Sequence, residues 1–149
     1  MEMTDLYQDL ILDHGRRPRY QGAMLSATHS MDGDNPLCGD QLTIFLKVES
    51  DKIVEASFTG HGCAISMAAT SLMLEFAIGK TSAEFEAMYQ VYHRQLTGEI
   101  LLNTEKEKLG KLEAFSGVAQ YPMRVKCATL CWHTLDAALK GFSESVSTE

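Results

Sequence analysis

Three prolines, one tryptophan and 11 glycines in 149 residues are too few for a collagenous or low-complexity chain. Positive charge is also scarce: 13 Lys and Arg face 20 Asp and Glu, a net charge of −7. Polyphosphate and anionic lipid repel such a chain, so no nucleic acid and no membrane surface is expected as a partner. No apolar run is long enough to span a bilayer. The longest, Gly62 to Leu74, already contains Ser66, Thr70 and Ser71, and Glu75 breaks it. Met1 to Asp5 has neither a basic n-region nor an apolar h-region, so no secretory signal is expected and the reading is cytoplasmic. No CxxC pair occurs among the four cysteines, which removes the zinc-ribbon and thioredoxin spacings.

The remaining composition is ordinary, with 45% hydrophobic and 22% charged residues. The length suits one domain over residues 1–149, able to bury about two-thirds of its unfolded surface. Such a core stands without disulfides. In a reducing cytoplasm the cysteines are then available for metal binding or chemistry.

Apolar residues at 6, 7, 10 and 11 predict a first helix, capped by Thr4 or Asp5 and ended by Gly15 and Pro18. Leu42, Ile44, Leu46 and Val48 alternate with polar or outward positions and predict a strand. Residues 53–59 predict a second, joined to it by the turn Glu49-Ser50-Asp51-Lys52. Met24 to His29 is expected as a third strand, followed by a turn-rich loop over Asp32 to Pro36. A long helix is expected from Gly62 to Ile78, and Thr81 to Glu84 is a capping box that opens another. Around Leu101-Leu102 and Leu109 to Leu112 short helices are expected, separated by the charged run Glu105 to Lys108. Pro122 then introduces a final helix, Met123 to Leu139, ended by Gly141. The fold class is α+β, a three-stranded antiparallel sheet packed against helices.

Cys38 falls in a turn-rich loop, Cys63 at a helix start and Cys127 in the first turns of the last helix. Backbone N–H groups and the helix dipole are expected to lower the pKa of Cys63, with Arg124 and Lys126 doing the same for Cys127. Asp40 adds an oxygen donor two residues from Cys38. Cys38, Asp40, Cys63 and Cys127 could meet as a tetrahedral S₃O site, which suits zinc, copper(I) or iron–sulfur units. The competing reading is that a free cysteine packs as a small hydrophobe. Gly39 and Gly62, each beside a cysteine, give a ligand room to approach. On the residues alone, both readings stay open.

Three segments carry a resemblance: Asn35-Pro36-Leu37-Cys38-Gly39-Asp40, Gly60-His61-Gly62-Cys63-Ala64-Ile65-Ser66 and Arg124-Val125-Lys126-Cys127-Ala128-Thr129-Leu130. They resemble the cysteine motifs of the U-type iron–sulfur cluster assembly proteins, the SufU, IscU and NifU N-terminal group. Asp13 to Arg19 resembles that group's post-helix loop. IscU-like scaffolds carry a histidine directly before the third cysteine, where this chain has Lys126. The region 93–120 is also longer than in those scaffolds, and both features resemble the SufU branch.

The resemblance implies the family's compact α+β fold and a Zn²⁺ site made by Cys38, Asp40, Cys63 and Cys127. It implies Cys38 as the persulfide acceptor from a SufS-like cysteine desulfurase, a zinc-dependent sulfurtransferase role, with Arg124 and Lys126 around the ligands. Zinc would hold Cys38 as a thiolate and release it when a partner residue takes its place. The alternative is a scaffold holding iron or a transient [2Fe–2S] cluster for downstream carriers or apo-proteins. A third reading is a structural zinc module that only binds another protein.

Cys131 lies one helical turn after Cys127 and is read as a packing residue, with a resolving thiol or an auxiliary ligand as the alternatives. His61, two residues before Cys63, is read either as an exposed strand-end histidine or as one that reaches the site, and His133 is expected on the surface. Arg16, Arg17 and Arg19 form a basic loop, read either as solvated or as a docking patch. Met67, Leu72, Met73 and Phe76 are expected in the core.

Overall fold

A computed structural model describes residues 3–141 and 146–147. In chain order its elements are α1 (Met3–Arg16), β1 (His29–Asn35), β2 (Asp40–Glu49), β3 (Lys52–His61), α2 (Ala64–Ala77), α3 (Ser82–Leu96), α4 (Asn103–Leu109), a 3₁₀ helix (Gly110–Gln120), α5 (Pro122–Lys140) and β4 (Val146–Ser147). The antiparallel β1, β2 and β3 form the sheet, as expected. The two-residue β4 adds a parallel edge against Gly33 and Asp34, a pairing the sequence reading did not include. No helix among the described residues is long and apolar enough to cross a membrane.

The sheet turns one face inward. Leu42, Ile44 and Leu46 of β2 are buried together with Ile53, Ala56 and Phe58 of β3, following the period-two alternation. The helix α5 lies on β1 and β2, and α2 fits between α1 and α5. That position explains the composition of α2, which is apolar on nearly every side and buries most of its residues. Two of its interior hydroxyls find partners: Thr70 Oγ1 donates to Ser66 O at 2.8 Å, and Ser71 Oγ lies 2.7 Å from His14 Nδ1. Trp132 of α5 is fully buried and stacks on Tyr92 at 4.5 Å and on Phe85 at 5.1 Å between ring centroids.

Several boundaries differ from expectation. Residues 24–28 form no strand; pairing begins where the Thr28 N–H donates to Leu46 O at 2.8 Å, and β1 then runs through the supposed loop. Cross-strand pairing overrides the turn-forming composition there. Asp32 Oδ1 accepts from Thr43 Oγ1 at 2.7 Å, and Gly33 sits where a Cβ would lie 2.1 Å from Thr134 Oγ1, so β1 approaches α5 closely. The charged run Glu105 to Lys108 does not separate two helices but lies within α4. Thr4 and Asp5 fall inside α1, which begins at Met3. The predicted capping box is present: Glu84 N–H donates to Thr81 Oγ1 and Thr81 N–H to Glu84 Oε1. Gly141 closes α5 in the left-handed conformation.

Candidate metal centre

Three element ends meet on one side of the sheet. Asn35, the last residue of β1, stands opposite Asp40, the first of β2. Pro36 follows Asn35 and holds it extended. The Cys38 N–H closes the turn on Asn35 O at 3.2 Å, which leaves the Cys38 side chain half-exposed at the tip. Cys63 joins the end of β3 to α2 and is the N-cap of that helix. Cys127 is buried on α5.

The ligand atoms of Cys38, Asp40 and Cys127 lie within 4.8 Å of one another. Cys127 Sγ and Cys38 Sγ are 3.1 Å apart. The Cys63 sulfur is not in that triad; it accepts the Ser66 N–H at 3.4 Å, as a helix-capping side chain does. Cys63 is tied to the group in two other ways. Its N–H donates to Asp40 Oδ1 at 2.9 Å, and its thiol acts on that of Cys127.

Electrostatics make the donor set costly without a cation. Burial pushes the Cys127 thiol far above the ordinary cysteine range, and Cys38, Cys63 and Asp40 push it further. This overturns the expected lowering by Arg124 and Lys126. Arg124 is exposed, with its guanidinium 4.7 Å from the centre of the Tyr121 ring and no hydrogen bond to a ligand sulfur. Lys126 is half-buried. Asp40 is fully buried, and its Oδ2 has no hydrogen-bond partner; Asn35 Oδ1 and Ser66 Oγ beside it share that condition. Gly62 makes the approach possible, since a Cβ there would lie 2.6 Å from Asp40 Oδ1. A buried carboxylate oxygen without a donor, facing close-set thiols, fits a thiophilic cation.

The other residues singled out fall as follows. Cys131 is fully buried, and burial pushes its thiol up to about 12, as expected of a packing cysteine. His61 is exposed at the end of β3, while His133 is half-buried and hydrogen-bonds Tyr89, so the surface expectation for it was wrong. Its helix position six residues from Cys127 turns it toward α3 rather than toward solvent. Arg19 pairs with Asp13 at 2.7 Å in the basic loop. Met67, Leu72 and Met73 are buried, and Phe76 packs on the core half-exposed. The sequence reading missed Asn35 and His14. Asn35 lay inside a quoted motif but offers no metal donor of the usual kind, and His14 has no periodic signal.

The family model for the NifU-like N-terminal domain matches residues 6–128. The chain is 35% identical over 139 residues to the iron–sulfur cluster assembly scaffold protein IscU of Streptococcus pyogenes serotype M1, covering 93% of this chain and 86% of that one. It is 36% identical over 134 residues to the zinc-dependent sulfurtransferase SufU of Bacillus subtilis strain 168, covering 90% and 89%. A crystal structure from Fervidobacterium islandicum AW-1, described as a candidate cluster assembly scaffold of the SUF system, superposes with a TM-score of 0.83. Identity there is 37%, with 93% of this chain and 99% of that one covered. With the family model matching most of its length and two relatives covered nearly whole, this chain belongs to the NifU-like N-terminal domain family of iron–sulfur cluster assembly proteins.

Proposed function

We propose that this chain takes sulfane sulfur from a cysteine desulfurase at Cys38, within a zinc centre formed by Cys38, Asp40, Cys63 and Cys127. One observation carries the reading. Cys38 alone combines a place in the close-set donor group with a half-exposed position on a turn, next to exposed Leu37. Cys127 is buried, and the Cys63 sulfur is engaged by its own helix.

Bound there, zinc would supply the positive charge that keeps its ligand thiols deprotonated at neutral pH. The Cys38 thiolate attacks the terminal sulfur of the desulfurase's Cys–S–SH group. A new S–S bond forms to Cys38 as the old one breaks. The desulfurase cysteine leaves as a thiolate, and the proton stays on the transferred sulfur. Electrons balance without an external oxidant or reductant. Among the described residues no histidine stands in the donor group, and this, with Lys126 before Cys127, favours this reading over cluster holding.

A second reading has a specific support: two or three thiolates and a carboxylate also suit a [2Fe–2S] cluster as cargo, and the Streptococcus pyogenes relative is named a scaffold. Elemental analysis separates them. Zinc at about one per chain supports sulfur transfer, and iron with acid-labile sulfide supports the scaffold. With desulfurase and L-cysteine, mass spectrometry of the alkylated protein is expected to find one added sulfur on Cys38, together with faster sulfide release. If Cys38→Ala stimulates sulfide release as well as the wild type does, sulfur transfer at Cys38 is wrong.

A further inference from the structure

Asn35 meets three of the four proposed ligands through three different parts of itself. Its carbonyl oxygen accepts the Cys38 N–H at 3.2 Å. Its backbone stands in register with Asp40. Its carboxamide Nδ2 donates to Cys127 Sγ at 3.9 Å. The residue is fully buried, and Pro36 fixes its extended backbone, so none of these contacts is an accident of a mobile side chain.

The chemistry gives the carboxamide a direction. A thiolate bound to a metal offers only lone pairs, so the group facing it must be the NH₂ and not the oxygen. An N–H···S bond draws electron density from the sulfur and fixes where it points. Cys63 receives an equivalent bond from the Ser66 N–H. Cys38 differs from both in its setting: it stands half-exposed on a turn, with its sulfur 3.1 Å from that of the buried Cys127. The three thiols are therefore held unequally.

We propose that Asn35 is a positioning residue of the metal centre: it holds Cys127 as the anchoring ligand and sets Cys38 and Asp40 beside it, so that Cys38 is the ligand free to leave. This rests on the metal-centre reading above. Outer partners of this kind commonly change metal affinity by 10- to 100-fold.

The test uses the full chain loaded with Co²⁺, whose thiolate-to-metal charge-transfer band reports the electron density on sulfur. Asn35→Leu keeps the volume and removes the donor. Its band is expected at lower energy than in the wild type. With Zn²⁺ loaded instead, a competing chelator is expected to remove the metal on the order of 10-fold faster. Asn35→Ala also lacks the donor and brings no other polar group, and it is expected to shift the band the same way, which covers failure of the leucine variant to fold. Thr134→Val, buried at the same β1–α5 contact, is the structural control; it is expected to lower the melting temperature and leave the band in place. A thiolate band in the wild type that neither Asn35 variant moves, with zinc lost at the wild-type rate, overturns the role of Asn35 alone. No thiolate band in the wild type overturns the metal-centre reading and this inference with it.

Discussion

The Cys63 N–H donates to Asp40 Oδ1 at 2.9 Å, so one oxygen of the carboxylate fixes the start of α2 while the other, Oδ2, is buried with no partner. The two oxygens have separable roles. Asp40→Ala removes both, and Asp40→Asn keeps an acceptor for Cys63. Without metal, the alanine variant loses an acceptor, which costs about 1–3 kcal/mol, but also sheds a desolvated carboxylate. Its melting temperature is expected to move little. With zinc, only the lost ligand is felt, and the gain in melting temperature on loading is expected to shrink in both variants. Thermal scans with zinc and with chelator check this; a gain equal to that of the wild type in both variants would remove Asp40 from the ligand set.

Gly62 gives a sharper probe because its substitution leaves every proposed ligand in place. A Cβ at 62 would lie 2.6 Å from Asp40 Oδ1 and 3.1 Å from Ser66 Oγ. Gly62→Ala must displace the carboxylate from its present position. Competition with a zinc chelator is expected to show affinity reduced on the order of 10-fold or more, with far-UV circular dichroism unchanged. Unaltered affinity would mean that the carboxylate does not bind the ion.

The burial that raises the Cys127 thiol also fixes the sign of a pH effect. Metal-free, this thiol is protonated throughout the neutral range. Zinc must displace that proton, so binding releases it and tightens as pH rises. Apparent affinity is expected to rise at least about tenfold per pH unit between about pH 6 and 8. Cys127→Ser is expected to bind more weakly and with a shallower slope. Isothermal titration in two buffers of different ionisation enthalpy counts the protons; no release would contradict a Cys127 thiolate ligand.

Much of this was legible before the structure, for identifiable reasons. Long-period signals survived: the capping box at Thr81, Pro122 at the start of α5 and the alternation over β2 all depend on local geometry that tertiary contacts reinforce. The strand β1 was misplaced because Asp32, Gly33, Asp34 and Asn35 look like a turn, and only the neighbouring strand and Thr134 make them otherwise. In the site, residue types and order pointed to Cys38, Asp40 and Cys127, which the structure gathers. The electrostatics were not legible. A basic neighbour in sequence, Arg124, points away to Tyr121, while burial sets the Cys127 thiol. Asn35 was hidden because its part lies in whom it touches, not in what it can ligate.

His14 supplies a last test, away from the metal. Its ring is buried, with Nδ1 2.7 Å from Ser71 Oγ, which in turn accepts the Arg19 N–H at 3.0 Å. The serine hydrogen is therefore free to point at Nδ1, and the neutral imidazole is the form that fits. Burial first, and the Arg19 charge second, lower the His14 pKa below its ordinary value. The folded chain thus holds fewer protons at this site than the unfolded chain. Stability is complete above the unfolded histidine value of about 6.5 and declines as pH falls through it toward the lower folded value. His14→Gln removes the titration and disturbs the Ser71 contact. Urea midpoints for the variant are expected below the wild type at about pH 8, with the gap narrowing toward about pH 5.5. A gap that stays constant across that window would assign the acid sensitivity to other groups and leave the His14–Ser71 pair a packing contact only.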